Sequence, residues 1–261
     1  MTVSAAAAAV PAARSGRDTG VEGFVEGFVD GDVDGDIGGA GLPGYGLGTV
    51  LPAGARWAEA FGAPPDGPLL GPEVDHIAGR SPRRRRQFTA ARTLARRTLA
   101  ALGHPPVPLL PGPGGAPGWP VGIAGSITHC DGYTACATAR TTRLASLGID
   151  AEPAEPLPRG VLALTASEAE LGRLEALPAG QVPWDRLLFS AKEATYKAWF
   201  PLDPRWTGLA TIEVELGVDA TFTARHPHDP VPRRGRWTVH RGIVLTALAV
   251  PARGLRADKW R

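Results

Sequence analysis

The chain is punctuated in one order, run twice: a segment of helical period followed by three short extended segments. Ser81 has the form of an N-cap with Pro82 at the first helical position, and Phe88, Ala91, Ala95, Leu99 and Leu102 then recur at helical spacing until Gly103 ends the run. A proline-rich loop, "HPPVPLLPGPGGAPGWP", leads to extended segments near 121–127, 132–139 and 144–152. The second round opens with Leu187, Ala191, Ala194 and Ala198 on one helical face as far as Pro201. Extended segments follow near 209–216, 219–225 and 236–250. A helix and three strands, twice over, predict an α+β fold of two similar halves, residues 51–145 and 146–261, although no residue-level repeat is visible between them.

With 261 residues, 43% of them hydrophobic, the chain has apolar side chains enough for two modest cores. Residues 1–50 stand apart. They combine an alanine run, glycines and "VEGFVEGFVDGDVDGD", and read as a solvated, low-complexity acidic tail. Arg14 and Arg17 there face Asp18, Glu22, Glu26, Asp30, Asp32, Asp34 and Asp36, a net −5, so the formal +2 of the whole leaves +7 on the remainder. Within the tail "DGDVDGDIGGAG" imitates a calcium loop. Gly41 stands where the bidentate glutamate should be and no helix precedes the loop, so acidic low complexity is the better reading. No basic residue precedes the alanine run, which makes it a poor secretory signal, and no stretch reaches the roughly 18 apolar residues of a membrane span. Cys130 and Cys136 lie six apart in one extended region, poor geometry for a bridge and too few ligands for zinc. They read as reduced thiols of a cytoplasmic protein.

Four groups could carry chemistry. In "SLGIDAEP" the carboxylates of Asp150 and Glu152 fall on one face of a strand, where two like charges raise each other's pKa unless a cation such as Mg²⁺ lies between them. Alone, the pair is better read as a strand end in water, and only further acids or cations would change that. In "LLFSAKEATYKAW" Glu193 and Lys197 are four apart on a helix, as are Lys192 and Tyr196, placing polar groups on one flank; a surface ion pair is the plainer alternative. In "SPRRRRQFTAAR" the basic residues Arg83 to Arg86 crowd a helix start, where the macrodipole disfavours them unless an anion is near, and Arg84 and Arg92 could grip a phosphate. In "GSITHCDGY" Ser126 and His129 lie at a strand end and turn. They lack the strand-turn-helix elbow of a hydrolase.

Taken together and in this order, "WPVGIAGSITH", "LGIDAEP" and "FSAKEATYKAW" resemble the 4′-phosphopantetheinyl transferases of the two-half, Sfp type, over roughly residues 50–250. The wording is most similar to the bacterial branch with an F-S-x-K-E motif, which activates siderophore, polyketide, nonribosomal-peptide and fatty-acid carrier proteins. The resemblance implies halves related by pseudo-two-fold symmetry with coenzyme A in the cleft between them. It implies a monomeric enzyme that moves the phosphopantetheine arm onto a serine of an apo acyl or peptidyl carrier protein and releases 3′,5′-ADP. Mg²⁺, with Mn²⁺ as an alternative, is the implied metal; nucleic acid and membrane are not implied partners. Asp150 and Glu152 match the family's metal-ligand pair, and Glu193 matches its third acidic residue, ligand and base. Lys192 and Lys197 match lysines that contact phosphates, Lys197 also within the catalytic set. Arg84 and Arg92 match the arginines on the nucleotide end of coenzyme A, and Ser126 and His129 the turn that contacts its phosphates. Glycines at Gly114 and Gly115 depart from the pattern, where close relatives carry a basic residue before Trp-Pro. The rival reading is a basic nucleotide- or nucleic-acid-binding module without transferase activity, built on the +7 core; the aromatic interleaving of a single-strand binder is missing from the arginine run.

Overall fold

The structure, a computed structural model, describes residues 28–32, 46–180, 182–205 and 208–252. Its elements are β1 (Phe28–Asp32), β2 (Ala55–Phe61), α1 (Gly71–Ile77), α2 (Pro82–Ala101), β3 (Ile123–Cys130), β4 (Tyr133–Arg140), β5 (Leu144–Pro153), α3 (Val161–Thr165), α4 (Glu168–Glu175), α5 (Trp184–Trp199), β6 (Glu213–Leu216), β7 (Thr221–His226), β8 (Asp229–His240) and β9 (Ile243–Pro251). Among the described residues the strands form two antiparallel sheets, β1-β2-β4-β3 and β5-β9-β8-β7-β6.

Alternation along each strand sorts the side chains into three cores. Leu94, Ala95 and Leu99 of α2 pack on Ala58, Ala60 and Cys136 of the first sheet. Leu187, Ala191 and Ala198 of α5 pack on Val244, Leu248 and Val250 of the second. Between the sheets lie Trp57, Ala135, Ala137, Leu147, Ile149, Leu245 and Ala247. The layers therefore run α2, first sheet, second sheet, α5, which is the expected α+β arrangement of two halves.

The halves meet where β3 runs beside β5. As the outer strand of its sheet, β5 leaves backbone N–H groups facing away from β9, and a buried N–H without an acceptor costs about 1–3 kcal/mol. Side chains of the other half answer them: Ser126 Oγ accepts from Ile149 N at 3.1 Å and Thr128 Oγ1 from Ala151 N at 3.0 Å.

Several expectations change. The third extended segment of the first round, β5, joins the second sheet. The stretch 236–250 is not one strand but the hairpin β8–β9, turning at Arg241 and Gly242, both at positive φ. The stretch 209–216 begins as a 3₁₀ turn, Leu209–Thr211. The strand β2 escaped notice because it is buried on both faces and carries Glu59, so no period-2 pattern shows. Leu47 and Val50, assigned to the tail, are buried in the inter-sheet core, and Glu59 ties Leu47 to it, accepting from Leu47 N at 3.2 Å and from Tyr133 Oη at 2.6 Å. The alanine run, most of the acidic repeat and the calcium-loop pattern beyond Asp32 lie outside the described residues. Cys130 and Cys136 are free thiols, and among the described residues no helix is long and apolar enough to cross a membrane.

Candidate active site

Close approach of α5 to β5 builds the site. A Cβ on Gly148 would strike the carbonyl oxygen of Ala194 and the N–H of Ala198, so glycine is what lets the helix settle on the strand. Leu147, Ile149 and Ala151 point into the inter-sheet core. Gly148, Asp150 and Glu152 consequently face α5, where Glu193 and Lys197 come down on them.

Asp150 is 4% exposed; its Oδ1 accepts from Lys197 Nζ at 2.6 Å and from Thr128 Oγ1 at 3.3 Å, whereas its Oδ2 is buried with no hydrogen-bond partner among the described residues. Burial works against the charged form of Lys197, but Asp150 and Glu193 outweigh it and hold the ammonium above its usual pKa. Burial first, then Asp150, pushes Glu193 up to about 7, with Lys197 opposing. Burial and Asp150 also raise Glu152, against the pull of Arg186, whose Nη1 lies 2.9 Å from Glu152 Oε2.

The opposite wall comes from the first half. A cavity of about 460 Å³ has Arg84, Phe88, Arg92 and His129 on one side and Asp150, Glu152, Glu193 and Lys197 on the other. The Arg92 guanidinium lies 4.0 Å above the Phe88 ring and its Nε donates to Leu109 O at 2.7 Å, two contacts that fix it in the cavity lining. Burial lowers its pKa to about 10, leaving it cationic at neutral pH. Arg84 is exposed at the rim. His129, also at the rim, has its pKa lowered by desolvation against the cavity walls and then by Lys197 and Arg84.

Two of the expected residues do not join this cluster. Lys192 is fully buried on another side of α5, bonded to Glu170 Oε2 and Thr165 O at 2.6 Å each and to Leu209 O at 3.2 Å. A one-residue step turns a helix by about 100°, so Lys192 and its neighbour Glu193 point to different surroundings. Ser126 is 4% exposed and its Oγ is the acceptor for Ile149 N; it borders a second cavity rather than this one. Thr128 and Arg186 are the residues that sequence reasoning missed. Thr128 carried a signal, being two residues from Ser126 on the same strand face. Arg186 carried none, because its partner Glu152 is 34 positions away.

A hard divalent cation suits this donor set: three carboxylates, two of them raised by burial and then by the charge of Asp150, and one buried carboxylate oxygen without a partner among the described residues. Asp150 is engaged by Lys197 and Glu152 by Arg186, and among the described residues no three such groups are gathered as a metal cluster.

Fold and cavity together define a two-half α+β protein with guanidinium groups facing carboxylates across a cleft, a class suited to a phosphate-bearing ligand. Residues 73–139 match the model of the 4′-phosphopantetheinyl transferase N-terminal domain, and residues 146–247 that of the 4′-phosphopantetheinyl transferase superfamily. The chain is 48% identical over 224 residues to the 4′-phosphopantetheinyl transferase Svp of Streptomyces mobaraensis, covering 79% of this chain and 89% of that one. It is 41% identical over 221 residues to the 4′-phosphopantetheinyl transferase PptT of Mycobacterium tuberculosis, covering 78% and 97%. Identity to the 4′-phosphopantetheinyl transferase Npt of Nocardia iowensis is 44% over 219 residues, covering 77% and 98%. The chain belongs to the 4′-phosphopantetheinyl transferase superfamily and is an enzyme of that family.

Proposed function

We propose that this enzyme transfers the 4′-phosphopantetheine arm of coenzyme A to a serine hydroxyl of an apo acyl or peptidyl carrier protein, in a Mg²⁺-dependent reaction that releases 3′,5′-ADP. The observation that carries the reading is the single cavity with guanidinium groups of the first half on one wall and three carboxylates and an ammonium of the second on the other. Arg84, Arg92 and His129 suit the phosphates of the nucleotide end. Asp150, Glu152 and Glu193 are the residues that would hold the ion, which supplies charge neutralisation on the pyrophosphate. A second cavity of about 440 Å³, mostly apolar, shares Gly115, Pro117, Ile127 and Lys197 with the first and offers the arm a place along Trp119, Tyr196 and Phe200.

The chain's own groups then have distinct tasks. Glu193, with its pKa near 7, takes the serine proton as Oγ bonds to the phosphorus that carries the arm. The bond from that phosphorus to the oxygen of 3′,5′-ADP breaks, and Lys197 donates to the oxygens on which charge builds. A cytoplasmic, monomeric enzyme serving siderophore, polyketide, nonribosomal-peptide or fatty-acid carriers is part of the same proposal.

Calorimetric titration tests the donor site. Coenzyme A with Mg²⁺ is expected to bind the wild-type chain, and Arg84→Ala to weaken it about tenfold, the loss of one charge-assisted contact. An unchanged dissociation constant in Arg84→Ala removes that residue from the site. Salt-dependent binding of DNA that coenzyme A does not compete would instead support a nucleic-acid module.

A further inference from the structure

The two halves contain the same knot of buried hydrogen bonds, and its second copy includes Lys192. In the first half Glu73 is the third residue of α1. Its Oε2 accepts from Leu70 N, the residue before the helix, at 2.9 Å and from Arg96 Nη1 of α2 at 2.9 Å; its Oε1 accepts from Leu109 N at 2.8 Å. Arg96 Nη2 also donates to Pro68 O at 2.6 Å.

In the second half Glu170 is the third residue of α4. Its Oε2 accepts from Ser167 N, again the residue before the helix, at 2.8 Å and from Lys192 Nζ of α5 at 2.6 Å; its Oε1 accepts from Val214 N at 2.7 Å. Lys192 Nζ donates to Thr165 O at 2.6 Å. Pro68 and Thr165 each stand two residues ahead of their cap. Glu73 and Glu170 are 0% and 1% exposed. Lys192 makes in the second half the two bonds that matter in Arg96's place in the first, to the glutamate of the short helix and to a carbonyl ahead of that helix, and it adds a third to Leu209 O; in each half the glutamate then holds the segment after the long helix.

An ammonium has three donors, and those of Lys192 are taken by Glu170, Thr165 O and Leu209 O. Turning one toward a phosphate would break a fully buried ion pair and strand the Glu170 carboxylate, which is strongly unfavourable. We propose that Lys192 is a positioning residue, the internal-symmetry counterpart of Arg96, which fixes the rotation of α5 and so the side on which Glu193 and Lys197 emerge; it is not a phosphate ligand. The kinetic part of this assignment rests on the transferase reading, whereas its structural part does not.

The test uses the full chain with Lys192→Met, Glu170→Gln, the pair combined, and Lys192→Arg. Each neutralising single change is expected to lower Tm by about 5–10 °C, and the combined variant to lower it no further than the worse single, because both remove one interaction. Lys192→Met is expected to lose about tenfold in kcat with KM and Kd for coenzyme A within about twofold of wild type, and Lys192→Arg to restore kcat. Additive Tm losses overturn the proposal, as do a tenfold weaker Kd for coenzyme A or an unchanged kcat in Lys192→Met. Should Lys192→Met not fold, the combined variant, with both buried charges removed, provides the same comparison of Kd and kcat. If wild type itself fails to bind coenzyme A, it is the transferase reading that falls, and the Tm coupling alone decides the role of Lys192.

Discussion

At the scale of single residues, Glu193 is the group whose chemistry is most unusual. Its folded-state pKa of about 7 lies above the ordinary 4.5 because burial and Asp150 disfavour its charge. The folded state therefore holds a proton that the unfolded chain releases between about pH 4.5 and 7, so the ionised side chain costs stability that is kept below that window and lost as pH rises through it. Glu193→Gln should raise Tm by a few degrees at pH 8 and not at pH 4, a gain on the order of 1–3 kcal/mol, while abolishing transfer at pH 8, where the wild-type carboxylate is ionised. Equal melting shifts at the two pH values would show that the carboxylate is not strained by its neighbours. The same-face reading of Asp150 and Glu152 needed only strand period, and it holds. Which acids meet which cations across 34 to 47 positions is set by packing, which no local pattern encodes.

At the scale of elements, the register of α5 on β5 decides the site. Gly148→Ala places a methyl against the backbone of Ala194 and Ala198, and overpacking of this kind costs about 1–3 kcal/mol or more. Circular dichroism melting should show a loss of at least several degrees; a wild-type Tm would mean that the helix does not rest where described. Across the joint, Thr128 pins Ala151 N and Asp150 Oδ1 from the other half. Thr128→Val should lower kcat about tenfold by freeing the Asp150 carboxylate, and Thr128→Ser should recover most of it; equal rates in the two variants would make the hydroxyl irrelevant. The long helices α2 and α5 were legible from their 3.6-residue period and from Ser81-Pro82. The short α1 and α4 were not, because seven or eight residues hold too few turns to show a period.

At the scale of the whole molecule, two halves with matching knots of buried bonds face each other across a cleft, with guanidinium groups on one wall and three carboxylates with the Lys197 ammonium on the other. No repeat is visible along the sequence because the match is carried by a few residues, Glu73 and Glu170 with Arg96 and Lys192, set among unrelated neighbours. A ligand gripped by both halves should stabilise the whole chain, so saturating coenzyme A with Mg²⁺ should raise Tm by several degrees. The central claim is transfer itself, and intact mass spectrometry of an apo carrier protein incubated with the enzyme, coenzyme A and Mg²⁺ tests it most directly. The account predicts that the carrier gains the mass of one phosphopantetheine arm on serine with wild-type enzyme and none with Asp150→Ala. A carrier left unmodified by wild type across a panel of acyl and peptidyl carriers, or modified equally by Asp150→Ala, would contradict it.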